Sequence, residues 1–191
     1  MRDLANRPYN LGGEATRTLS PLLRELLQAT RLARDPAFAE ILLTMGFTSH
    51  DCPMWGIEAV SAGDDFYQPD ENGRLAAIVP AFEGRQVVDL IACSFTTRAM
   101  RTRKGIATVL GLDEIADACA SLEPLTVHDD ALSWLHNKCR GVVVIDWTAA
   151  PTLLRDVPSL LCESEATAER LTRAFERPNP YPPILVKDGA T

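Results

Sequence analysis

The sequence predicts an α/β fold: a small parallel sheet with crossover helices, preceded by a helical hairpin and an antiparallel β-meander. Three observations predict this order. Two apolar stripes at helical spacing come first, then apolar runs separated by strong turn signals, and from Leu125 onwards short apolar runs alternate with helix-like segments. Strands that alternate with helices require crossover connections, which are typical of parallel sheets.

Length and composition indicate one compact globule with three parts, at 1–50, 51–111 and 112–191. No apolar run approaches the roughly 20 residues that span a bilayer, and the first residues have no signal-peptide core, so we expect a cytoplasmic protein without a membrane partner. The net charge of −7 disfavours indiscriminate binding to phosphate backbones and suits divalent cations or a basic protein.

The helical hairpin has two opening signals. Ser20 caps and Pro21 begins the first helix, Asp35-Pro36 repeats the signal, and Gly46 is a plausible stop. The apolar stripes of this hairpin either pack on the main core or bind a protein partner.

The meander has four predicted strands, at Ile57–Val60, Phe66–Gln68, Leu75–Phe82 and Gln86–Phe95. Pro80 lies inside the third strand and has no N–H to donate, so it predicts an edge position or a bulge there.

A basic segment follows, although the chain is acidic overall. It contains Arg98, Arg101, Arg103 and Lys104, and we expect a short helix after it at Ile106–Leu110. Four cations in seven residues either bind the phosphates of a nucleic acid or form a solvated face that is balanced by nearby acids.

The last part contains the predicted parallel sheet. The expected strands are Leu125–Val127, Gly141–Ile145, Ser159–Cys162 and Ile184–Val186. The helices between them are Asp130–Lys138, Ala149–Arg155 and Glu165–Arg177. The five cysteines are widely spaced and odd in number, which argues against a disulfide scaffold or a zinc finger.

Acidic residues follow the strands of this sheet, as in His128-Asp129-Asp130 and Glu163-Ser164-Glu165. If the first and third strands are neighbours, these acids converge at one edge, where carboxylates suit Mg²⁺. Acids in these positions also cap helices, which is their commoner use.

The stretch Leu125–Phe175 resembles a degenerate Toprim domain, the α/β module of phage and plasmid primases and of topoisomerases. Thr126–Leu132 resembles the family's first strand and its Ala-Leu helix, and Leu160–Ala168 resembles its third strand and the helix after it. The hairpin between Gly73 and Leu90 resembles the strand pair that precedes Toprim in some primases.

The resemblance implies functional roles for four positions. The family's catalytic glutamate falls at His128 or Asp129, and Glu163 and Glu165 stand where paired aspartates hold Mg²⁺. The replacements imply weakened catalysis, and hence an accessory or binding factor in nucleic-acid metabolism, of phage or mobile-element type. An active Mg²⁺-dependent phosphotransfer enzyme and a regulatory protein that binds another protein are the alternatives.

Overall fold

The structure of the protein is a computed structural model, which describes residues 20–36, 38, 42, 46 and 54–176. The larger of its two sheets, sheet A, consists of β1 (Gly56–Ala62), β2 (Tyr67–Pro69), β3 (Arg74–Glu83), β4 (Gln86–Ser94) and β5 (Met100–Thr102). These strands pair in the order β2-β1-β3-β4-β5, and every pairing is antiparallel.

The smaller sheet B consists of β6 (Val109–Leu110), β7 (Leu125–His128), β8 (Val142–Val144) and β9 (Leu160–Cys162). The order is β6-β8-β7-β9, with β7 parallel to both β8 and β9 and with β6 antiparallel to β8. Sheet B is therefore a mixed sheet.

Five helices accompany the two sheets in the described part of the chain. They are α1 (Pro21–Ala33), α2 (Leu112–Ser121), α3 (Ala131–His136), α4 (Ala150–Leu153) and α5 (Glu165–Glu176). None of these described helices has the length and apolar character needed to cross a membrane.

Helix α1 begins where its sequence predicts, because the Ser20 hydroxyl accepts a hydrogen bond from the Leu23 N–H at 3.2 Å. The apolar side of α1 packs on sheet A, with Leu26 in one cluster with Ile78. Gly56 permits this contact, since a Cβ there would lie 2.3 Å from the Ala29 carbonyl carbon.

Strand β3 is buried on both faces, because successive side chains point to opposite sides. Ala76 and Ile78 face the cluster beneath α1. Ala77 and Val79 face a second cluster, which joins sheet A to α3 and β8; its members include Ile91, Cys93, Leu110, Leu132, Leu135 and Val143.

The predicted fold class is wrong, because the main sheet is antiparallel and sheet B is mixed rather than a small parallel Toprim-like sheet. The helix predicted at Ile106–Leu110 is also wrong, since Val109 and Leu110 form β6. The expected pairing of the first and third strands of the second half is confirmed, because β7 and β9 are parallel neighbours.

Three sequence predictions concern residues that the structure does not describe, in whole or in large part. These are the second helix of the hairpin, the connector at Arg177–Pro183 and the strand at Ile184–Val186. Cys93, Cys119 and Cys162 are free, whereas Cys139 takes part in a disulfide, a bond that the spacing of the cysteines does not predict.

Candidate functional site

The basic segment lies along the outer edge of sheet A and in the loop after it. Arg98 occupies the turn between β4 and β5 with a φ of 60°, and Arg101 lies on β5. Arg103 and Lys104 follow in the loop that leads to β6.

Asp89 fixes this loop from inside the protein. Its side chain is fully buried on β4 and accepts hydrogen bonds from five backbone N–H groups at 2.7–3.2 Å, those of Leu90, Arg103, Lys104, Ile106 and Ala107. Because a buried carboxylate needs such donors and a buried N–H group needs such an acceptor, Asp89 sets the path of residues 103–107.

Two of the four cations form ion pairs within the fold. Arg98 Nη1 lies 3.3 Å from Asp130 Oδ1, at the start of α3. Arg103 Nε donates to Glu25 Oε2 at 3.0 Å, and the same carboxylate accepts a hydrogen bond from the Tyr67 hydroxyl at 2.8 Å.

Glu58 adds a second carboxyl group to the cluster around Glu25. Burial, and then the negative charge of Glu25, raise the pKa of Glu58 to about 7, although Arg103 acts in the opposite direction. The Oε2 atom of Glu58 is buried and has no hydrogen-bond partner among the described residues, an environment that disfavours the charged carboxylate.

Arg101 and Lys104 remain as cations that form no ion pair among the described residues. The Arg101 guanidinium donates to two backbone carbonyls, those of Gly63 at 3.0 Å and Met100 at 2.7 Å, so it is positioned without being neutralised. Lys104 is exposed.

An aromatic ring lies against the loop that contains Lys104. Phe66 is 50% exposed, and a Cβ built on Gly105 would lie 2.8 Å from its Cε1 atom. The backbone of residue 105 has a φ of 72°, a conformation that favours glycine. We call this region the loop surface, defined as Phe66, Arg101, Thr102, Lys104 and Ile106.

Phe66 was not predicted as a site residue, because its sequence pattern indicates the start of a strand and nothing in it points to the basic segment. Phe66 is distant from that segment in the sequence, and long-range backbone contacts, such as the isolated bridge between Phe66 and Thr102, bring the two together.

The acids that follow β7 and β9 meet at one edge of sheet B, which we call the carboxylate rim (His128, Asp129, Glu163 and Ser164). The Asp129 N–H donates to Glu163 Oε2 at 3.0 Å. Asp129 Oδ1 accepts hydrogen bonds from the hydroxyls of Ser164 at 2.7 Å and Thr167 at 2.5 Å. These bonds join the end of β7 to the start of α5.

His128 is buried below this rim, with 6% of its side chain exposed. Its Nε2 atom lies 3.0 Å from the Arg140 carbonyl oxygen, a distance that suits donation from Nε2–H. Its Nδ1 atom faces Glu163 Oε2 at 3.4 Å without a hydrogen bond.

Helix capping accounts for two of the polar residues near the rim. Asp130 accepts hydrogen bonds from the N–H groups of Leu132 and Ser133, and the Ser164 hydroxyl accepts one from the Thr167 N–H. Glu165 is exposed in the first turn of α5 and takes no part in the hydrogen bonds of the rim.

No three or more His, Cys, Asp or Glu side chains of the described residues are grouped as a metal site. The catalytic roles of His128 and Asp129 and the Mg²⁺ ligands Glu163 and Glu165 therefore stay predictions.

Comparison with known proteins adds no family to this description. The chain matches no protein-family model, no curated protein and no solved structure.

Proposed function

We propose that the protein is a nucleic-acid-binding accessory protein, which holds a phosphate backbone against the loop surface. The observation that carries the proposal is that Arg101 on β5 and Lys104 in the loop after it form no ion pair among the described residues, on a chain whose net charge is −7. Cations that are positioned but not neutralised favour an anionic ligand.

The hydrogen bonds of Asp89 support this proposal. They fix the backbone of Lys104 and its neighbours before any ligand arrives, so little conformational entropy is lost when a ligand binds. Arg98 and Arg103, which are paired with Asp130 and Glu25, hold the segment in place and contribute less charge to a ligand.

The acidity of the whole chain sets the expected strength of binding. A net charge of −7 repels a polyanion at long range, so attraction is confined to the loop surface and depends strongly on salt. We therefore propose weak, local contacts, as suits an accessory factor. The catalytic activity and the phage origin that the Toprim resemblance implies remain predictions outside this proposal.

The experiment is a fluorescence-anisotropy titration of the protein with a labelled mixed-sequence oligonucleotide over a series of salt concentrations. For a single strand, two phosphate contacts predict a slope of log K against log salt of about −1.4, and Lys104→Gln reduces its magnitude by about 0.7.

Arg85→Gln is the matched control, because Arg85 is an exposed cation in the turn between β3 and β4, remote from the loop surface. It should leave the slope unchanged. Absence of salt-dependent binding by the unmodified protein at low ionic strength overturns the proposal, as does an equal effect of the two substitutions.

A further inference from the structure

We infer that the loop surface takes single-stranded nucleic acid, with one base stacked on the ring of Phe66. This inference rests on the proposed function and specifies the form of nucleic acid that binds. Phe66 was absent from the predicted site, and its ring lies against Gly105, the residue after Lys104.

The position of Phe66 is fixed by the backbone on both sides. Its carbonyl oxygen accepts a hydrogen bond from the Gly63 N–H at 2.9 Å, and the carbonyl of Asp65 accepts one from the Thr102 N–H at 3.2 Å. The turn is thereby attached to β5, so the ring is presented at a defined place rather than on a free loop.

The ring is exposed although phenylalanine is usually buried. Half of Phe66 is accessible, and Ile106, on the other side of Gly105 in the loop, is 52% exposed. The contact at Gly105 supports the ring near its Cε1 and Cζ atoms and leaves the remainder open to a ligand. An exposed aromatic face beside cations is the arrangement on which nucleic-acid bases stack.

The charges around the ring include acids as well as cations. The exposed Asp64 and Asp65 directly precede Phe66, and the Arg101 Nε atom donates to the carbonyl of Gly63, one residue before Asp64. These acids therefore weaken the attraction of Arg101 for a phosphate. Asp64→Asn should accordingly increase the affinity.

A single strand fits this surface better than a duplex. The bases of a duplex are already stacked and paired, so its backbone reaches the cations but no base reaches the ring. A single strand provides both contacts at once, since any unpaired base has a face for stacking.

The experiment compares a labelled mixed-sequence single strand with the duplex of the same sequence, in anisotropy titrations at low salt. The unmodified protein should bind the single strand more tightly. Phe66→Leu keeps an apolar side chain of similar size but removes the aromatic face, and it should weaken single-strand binding by roughly 5- to 100-fold while leaving duplex binding nearly unchanged. Phe66→Trp should retain the affinity.

Leu161→Ala is the control, because Leu161 is 60% exposed on β9 and belongs to sheet B. Thermal unfolding of each variant shows whether it folds, and Phe66→Trp tests stacking independently of Phe66→Leu. Equal binding by Phe66→Leu and the unmodified protein, with weaker binding by Lys104→Gln, refutes base stacking and leaves the proposed function intact. If the unmodified protein binds neither strand form, both ideas fail.

Discussion

At the scale of single residues, Asp89 shows how one buried carboxylate determines the shape of a loop. Local sequence pattern predicts a helix at Ile106–Leu110, but the N–H groups of Ile106 and Ala107 donate to Asp89 Oδ2. An aspartate 17 residues before Ile106 thus overrides the local pattern, and a sequence-based prediction has no means of locating such a bond.

We predict that Asp89→Asn destabilises the protein strongly. An asparagine offers one acceptor oxygen in place of two, so at least two buried N–H groups lose their partner, at a cost of roughly 2–6 kcal/mol. Urea unfolding measures this change. Asp70→Asn is the control, since the Asp70 side chain accepts one hydrogen bond, from the N–H of Asn72 in an exposed turn. Similar losses for the two variants contradict the role of Asp89.

Glu58 gives a prediction about pH. Its pKa is about 7 in the folded protein and 4.5 when unperturbed, so between these values the folded state holds a proton that the unfolded state releases. Stability is therefore favoured at low pH and decreases as the pH rises from about 4.5 to 7.

The corresponding variant is Glu58→Gln, which cannot ionise. We expect it to remove this part of the pH dependence and to be more stable than the unmodified protein at pH values above the pKa of Glu58, as measured by urea unfolding at several pH values. Glu71→Gln makes the same substitution at an exposed turn and should leave the dependence unchanged. An unaltered profile for Glu58→Gln argues against a protonated Glu58.

At the scale of elements, the length of a strand determines whether its sequence pattern can be recognised. The long strands β3 and β4 have enough residues for an apolar pattern and a clear turn between them. By contrast, β5 and β6 contain three and two residues, too few for any periodicity, and their pairing partners decide their conformation.

Pro80 follows the rule that proline is confined to strand edges and bulges, although it lies in an interior strand. Although β3 lies between β1 and β4, its pairing with β1 ends at Ile78. Among the described residues no strand pairs with that side of β3 at Pro80, and the register with β4 shifts between Ala81 and Phe82. A missing N–H is tolerated at such a position.

The carboxylate rim provides a prediction for β7 and α5. Thr167 is buried and its hydroxyl donates to Asp129, so the two side chains should be energetically coupled. A double-mutant cycle with Asp129→Ala and Thr167→Val should give a coupling energy of about 1 kcal/mol, measured by urea unfolding.

Additivity in this cycle contradicts the structural role of Asp129. Calorimetric titration with Mg²⁺ tests the alternative role, since a metal site at Glu163 and Glu165 predicts binding that Glu163→Gln abolishes. Glu169→Gln, an exposed acid further along α5, is the control for that titration.

At the scale of the whole molecule, contacts distant in sequence unite the two sheets and the candidate site. Arg98 and Asp130 are 32 residues apart, and Arg103 and Glu25 are 78 apart. The acids at the ends of β7 and β9 were predictable because parallel strands end at a common edge. The loop surface was not, because its ring and its cations come from separate turns of an antiparallel sheet.

The bonds of Asp89 also have a consequence for engineering. They involve only the backbone of residues 103, 104, 106 and 107, so the frame of the loop is independent of the side chains that it presents. The side chains at Lys104 and Ile106 can therefore be replaced without loss of the hydrogen bonds that hold the loop backbone. A library randomised at these two positions should yield folded proteins with new ligand preferences.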